Sequence, residues 1–177
     1  MVTELGTHYL EDVRSRFVSL KKLADAALAR AEDDFFTVTG PEDNSLAVIV
    51  KHLSGNMVSR WGGLHGDGES PNRDRDAEFV AAESRDTLLA GWETGWATLF
   101  RALDGLAADG LLDTVTIRGE PHTVMAAINR QLSHYAYHVG QVVFLAKHFQ
   151  GERWESLSIP RGASAAFNRE MMGQPKP

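Results

Sequence analysis

The sequence predicts an all-α protein built as a four-helix bundle. Three observations carry that expectation. Four long segments repeat apolar residues at steps of three and four. Polar, Gly- and Pro-rich stretches separate them. The stretch between the second and third segments is long enough to cross the length of a bundle. The chain of 177 residues is expected to be a single domain, 1–177, able to bury a core without staples.

The first helix is expected at about 7–31, where Val13, Phe17, Leu20, Leu23, Ala24, Ala27 and Leu28 form one face. "TVTGPEDNSL" ends it with turn residues, and Asn44 or Ser45 caps the second helix at about 45–61. That helix, "SLAVIVKHLSGNMVSRW", is apolar on most sides and should be buried. Residues 62–83, rich in Gly, Pro and charge, are read as a crossover that leaves the second and third helices parallel. The third helix, about 84–107, carries Leu88, Leu89, Trp92, Trp96, Leu99, Phe100 and Leu103 on its apolar face. Gly91 and Gly95 there allow a neighbour to approach closely. "DTVTIRGEPHTV" alternates with period two and turns at Gly119, so a short hairpin or extended link is expected before the fourth helix. The fourth helix spans about 123–149, with Gly151 as its stop. The tail, 151–177, is expected to pack irregularly on the bundle, with a short helix after Pro160.

Composition bounds the chemistry. Cysteine is absent, so the chain has no disulfide or cysteine nucleophile, and any thiol chemistry must use a thiol that arrives with a ligand. The net charge is -6 and no basic stripe runs along the chain, which argues against nucleic acid as a partner. The N-terminal stretch reads as neither a signal peptide nor a membrane span, so a cytoplasmic location without membrane association is expected.

The segment "LSHYAYHVGQ" raises the functional question. With His134 at zero on a helical wheel, His138 falls at about +40°, Gln141 at about -20°, Gln131 at about +60° and Arg130 at about -40°. A polar stripe thus runs down a helix that is apolar elsewhere, and no acid occurs from Met125 to Gln150. Three readings fit: a solvent face, buried histidines satisfied by hydrogen bonds, or two metal ligands one turn apart. A metal in a bundle core needs a ligand from a facing helix. His65 and His122 belong to connections and His8 to a bundle end. His148 stands about 21 Å along the axis from His134. His52, near the middle of the second helix, is the one expected at the right height. Asn56 follows it by one turn on the same face.

"NSLAVIVKHLSGNM" followed by "HYAYHVGQ" resembles the DinB/YfiT-like superfamily of four-helix bundles. "IRGEPHTV", "INRQLSHYAYHVGQ" and "SLSIPRG" resemble an uncharacterised bacterial branch of it, over roughly Tyr9 to Phe167. The resemblance implies an up-down-down-up bundle and a divalent metal held by His52, His134 and His138. It also implies a homodimer, and it includes relatives that are transferases or isomerases using a low-molecular-weight thiol such as bacillithiol or mycothiol.

Three neutral imidazoles leave the metal its full charge and an open position, the pattern of a catalytic site. Zn²⁺, Ni²⁺, Fe²⁺ and Mn²⁺ all suit such ligands. The expected function is therefore a metal-dependent thiol S-transferase acting on a small molecule. The alternatives are a metal-dependent hydrolase and a non-catalytic metal- or ligand-binding protein connected to stress. Asn56, Arg130 and Gln141 flank the ligands and are expected either to contact substrate or to hydrogen-bond within the bundle. Arg161 is assigned to the surface, and Trp92 and Trp96 to the core.

Overall fold

A computed structural model describes residues 2–33, 36, 44–64, 74, 76–79 and 83–173. The expected turn at 37–43, His65 and most of the expected crossover lie outside the described residues. The described chain is mostly helical, with one two-stranded sheet. In order come α1 (Val2–Leu28), α2 (Leu46–Gly62), α3 (Arg85–Asp104), β1 (Thr114–Ile117), β2 (Glu120–Thr123), α4 (Val124–Gln150) and α5 (Ser164–Gly173). Two short 3₁₀ turns, Ala77–Phe79 and Ala108–Leu112, precede α3 and β1, and a third, Gly151–Arg153, follows α4.

The helix starts are set by hydroxyl caps. Ser45 accepts the Val48 N–H at 3.2 Å, Ser84 the Thr87 N–H at 3.3 Å and Thr123 the Ala126 N–H at 3.1 Å. Each cap satisfies an orphan donor and contributes about 1 kcal/mol. Helix α4 ends where Gly151 takes a φ of 56°, a conformation that suits glycine. Helix α1 starts earlier than its apolar face requires. Gly6 lets it abut the turn Ala108–Leu112, because a Cβ there would stand 2.7 Å from the Ala108 carbonyl oxygen.

Helix α2 packs chiefly on α3, and α1 on α4. Contacts between α2 and α3 advance in the same direction along both: Lys51 pairs with Glu83 just before α3, Ser54 faces Gly91 and Met57 faces Gly95. Those between α1 and α4 do the same, from Tyr9 on Asn129 to Phe17 on Tyr135. Contacts between α2 and α4 advance in opposite directions, with His52 beside His134 and His138, and Trp61 beside Ala127 and Ile128.

The centre of the molecule is an aromatic cluster. Phe17, Trp61, Trp96 and Tyr135 pack edge to face or tilted, with centroids 5.6 to 6.5 Å apart. Trp92 and Trp96 are both 1% exposed and therefore belong to the core. The Tyr135 hydroxyl receives the Trp61 indole N–H at 3.0 Å and donates to Asn56 Oδ1 at 3.0 Å. One buried hydroxyl thus ties α4 to two successive turns of α2.

Strands β1 and β2 form an antiparallel hairpin in the register Thr114–Thr123 to Ile117–Glu120. Val115 and Ile117 point into the core, giving the period-two alternation read in the sequence. The two-residue turn consists of Arg118 (φ 53°) and Gly119 (φ 82°). After α4, Trp154 and Leu157 are partly buried against the core, whereas α5 buries no residue. No helix among the described residues is long and apolar enough to cross a membrane.

Candidate metal centre

Helix α4 places His134 and His138 one turn apart on one face, and α2 brings His52 to the same point. His134 Nε2 lies 3.4 Å from His52 Nε2 and 3.1 Å from His138 Nε2. All three ligand nitrogens lie within 4.8 Å of one another. Nitrogens around a tetrahedral ion at about 2.0–2.1 Å are separated by about 3.3 Å. Two of the three edges already have that length.

The outward-facing nitrogens show how the lone pairs are aimed. His52 Nδ1 lies 3.0 Å from Glu78 Oε2, and His138 Nδ1 lies 2.7 Å from Gln141 Oε1. Both partners are acceptors, so in each ring Nδ1 carries the proton and donates it. Gln141 is oriented by its own amide, which donates to the Tyr137 hydroxyl at 3.3 Å. Nε2 of His52 and His138 is thereby left with its lone pair facing the common point. Metal-binding histidines characteristically use their second nitrogen in this way.

Burial holds His138 below the usual histidine value. The hydrogen bond that His138 donates to Gln141 opposes that shift, and the nearby His52 reinforces it. The ring is therefore neutral at pH 7 and able to act as a ligand. The residues present fit a divalent ion: three imidazoles from three different helical turns, with their ligand nitrogens converging.

The support around His52 comes from a segment that sequence reasoning treated only as a connection. Ala77–Phe79 is a single 3₁₀ turn, with the Ala77 N–H bonded to Asp74 Oδ1 at 3.0 Å. Glu78, 6% exposed, reaches His52, and Phe79 stacks on the imidazole at 5.3 Å between centroids. Gly55 makes room for the carboxylate, because a Cβ at 55 would stand 2.4 Å from Glu78 Oε1. A usable signal was present. A histidine ligand on a nearly apolar helix needs an acceptor for its second nitrogen, and "DAEF" offers an acid beside an aromatic ring just ahead of α3.

The flanking residues divide by role. Asn56 is 6% exposed, and its Oδ1 is engaged by Tyr135. Gln141 orients His138. Arg130, one turn before His134, lines a cavity of about 300 Å³ that borders His52 and His134. Arg60 and Arg118, neither singled out from the sequence, line the same cavity together with Asn56, Glu78 and Phe79. Arg161 is exposed. Chemically, the centre can hold a Lewis-acidic ion beside a cavity lined by three arginines and one glutamate.

Comparison with curated proteins gives no match, and comparison with solved structures gives none. A family model described as "Protein of unknown function (DUF1572)" matches residues 4–163. That span includes α1 from Glu4 onward, the other three long helices, the hairpin and the three histidines, so the chain belongs to the DUF1572 family.

Proposed function

We propose that this protein is a divalent-metal-binding member of the DinB/YfiT-like superfamily, and that its three-histidine centre serves transfer to or from a low-molecular-weight thiol. The observation that carries the reading is the convergence of His52, His134 and His138 Nε2 at separations suited to one ion, with the Nδ1 protons of His52 and His138 held by acceptors. The same-sense contacts of α2 with α3, and of α1 with α4, support the up-down-down-up bundle of that superfamily.

An ion at three neutral imidazoles lowers the pKa of a bound water or thiol and so supplies a nucleophile near neutral pH. The chain's own residues set up that chemistry. Glu78 and Gln141 fix two imidazole tautomers and orientations. Tyr135 and Asn56 fix the spacing of α2 and α4 beside the site. Phe79 and the hairpin wall the adjoining cavity, which is where a substrate would lie. Since the chain has no cysteine, the thiol comes from outside.

Zn²⁺, Ni²⁺, Fe²⁺ and Mn²⁺ remain the candidate ions. The exposed Tyr137 and Phe144 of α4 offer an apolar face that a second copy would cover in the expected homodimer. A cytoplasmic location suits a small-thiol substrate. A second reading, a non-catalytic metal- or ligand-binding protein, draws on one observation. Among the described residues Glu78 is the carboxylate that lines the cavity, and it is already engaged with His52. A hydrolase would face the same shortage of a general base.

The test begins with the metal content of protein purified without a His-tag or chelator. It continues with a panel of thiols and electrophiles run on metal-loaded wild type and on His134→Ala. Equal rates for the two proteins would sink the transferase reading.

A further inference from the structure

The cavity beside the histidines is lined by three arginines and one carboxylate. Arg60, Arg118 and Arg130 line it, and the opposing acid, Glu78, is bonded to His52. The chain as a whole carries a net charge of -6, so three guanidiniums around one small cavity run against its overall balance. Each guanidinium is charged at every accessible pH and offers a planar fork of donors. Arg60 is 4% exposed and forms part of the wall, while Arg118 and Arg130 are exposed at the rim. Among the described residues neither rim arginine has an acidic partner.

Arg118 adds a second, independent observation. It is the first residue of the two-residue hairpin turn, at φ 53°, and Gly119 follows at φ 82°. Such turns favour Asn, Asp or Gly at that position, because a longer side chain is strained with a positive φ. Arginine is a poor choice for the turn. Its placement is explained by where the side chain goes, since the hairpin carries it to the cavity opposite α2.

We propose that this cavity is an oxyanion-binding site. It takes a small molecule bearing a carboxylate or phosphate group, gripped at the rim by Arg118 and Arg130 with Arg60 in the wall. The rest of the ligand points toward His52 and His134. At about 300 Å³ the cavity sits at the lower end of the range for small-molecule sites, which favours a compact ligand. The inference names the substrate class for the centre described above and rests on that reading only for the ligand's reacting end. The anion grip itself needs no metal.

The test uses the full chain, metal-free and Zn²⁺-loaded, titrated with succinate, inorganic phosphate and the neutral analogue succinamide, and read by calorimetry and by amide chemical shifts. Succinate or phosphate should bind both forms, and succinamide should bind neither. Preference between the two anions assigns the carboxylate or the phosphate class. Arg118→Gln and Arg130→Gln should each weaken binding about tenfold or more, while their Zn²⁺ affinity stays at the wild-type value. Arg118→Asn should weaken anion binding and also raise the melting temperature, because asparagine suits the turn. Failure of both anions to bind, or equal binding by wild type and the glutamine variants, would overturn the site. Anion binding without Zn²⁺ binding would retain this inference and remove the metal reading. Zn²⁺ binding without anion binding would do the reverse.

Discussion

Gly55→Ala tests whether the centre depends on the contact between α2 and the turn Ala77–Phe79. The added Cβ would stand 2.4 Å from Glu78 Oε1 and 3.1 Å from its Cδ. Ordinary contact needs about 3.5 Å, so the carboxylate must withdraw by about 1 Å. The 3.0 Å bond to His52 Nδ1 then passes beyond hydrogen-bond reach. Two effects on stability oppose each other. Alanine improves helix propensity by about 1 kcal/mol, and loss of a hydrogen bond to a charged group costs about 1.5–3 kcal/mol. The metal-free variant should therefore be less stable by about 0.5–2 kcal/mol. Its Zn²⁺ affinity should fall about 10- to 100-fold, the usual effect of losing a partner that orients a histidine ligand. Denaturant unfolding reads the first quantity and competition titration with a chelating dye reads the second. In a Glu78→Ala background the same substitution should have little further effect on affinity, since its target is gone. An unchanged dissociation constant in the single variant would show that Glu78 does not govern His52.

Other expectations follow from the same contacts. His138→Ala should lose stoichiometric metal binding yet keep its helical circular dichroism, because the apolar core shared by the four long helices does not depend on that imidazole; unfolding would instead make the metal structural. Tyr135→Phe deprives Asn56 and the Trp61 N–H of their partner and should cost about 1–3 kcal/mol by denaturant unfolding; a smaller loss would mean that the buried hydroxyl is dispensable. Gly95→Ala would bring a Cβ within 3.2 Å of Met57 Cβ and 3.3 Å of Ser54 Cα, whereas Gly91→Ala meets only Ser54 Cβ at 3.9 Å. The first should destabilise by about 1–3 kcal/mol through overpacking and the second should stabilise by up to about 1 kcal/mol, so matched melting temperatures would refute the close approach of α2 and α3. Zn²⁺ at a hundredfold excess over its dissociation constant should stabilise the protein by about 2.7 kcal/mol; no shift in the melting temperature would argue against binding to the folded state.

The helices and the hairpin were legible because burial imposes its period on the sequence. Val13, Phe17 and Leu28 on α1, and Val115 and Ile117 on β1, show it most clearly. The three histidines were legible for a related reason: imidazoles at midhelix positions in apolar surroundings need an explanation, and helical rise places His52 and His134 at one height. Glu78 and Arg118 were not read from the sequence, because each reaches the site from an element whose docking depends on tertiary contact. Arg60 lies two turns beyond His52 on α2, so its spacing was readable, but nothing marked it as facing a cavity. Arg118 is the sharper case, since "IRGEPHTV" announces a turn but not the direction in which its first side chain leaves. Gln141 and Asn56 were expected to flank the ligands, and the structure bonds them to His138 and Tyr135, partners that emerged only from the packing.

The Tyr135 hydroxyl sits one residue from His134 and fastens the two helices that carry the histidines. The triangle of nitrogens is therefore calibrated by its neighbour and does not wait for an ion to draw it together. A site built this way can exchange its ion without refolding. Three imidazoles with open positions beside them suit several first-row metals alike, so ligand type does not choose among them. The occupant would then follow the Irving–Williams order and the supply of metal in the cell. Proteins prepared from cells grown on different metals would differ in content while sharing one fold.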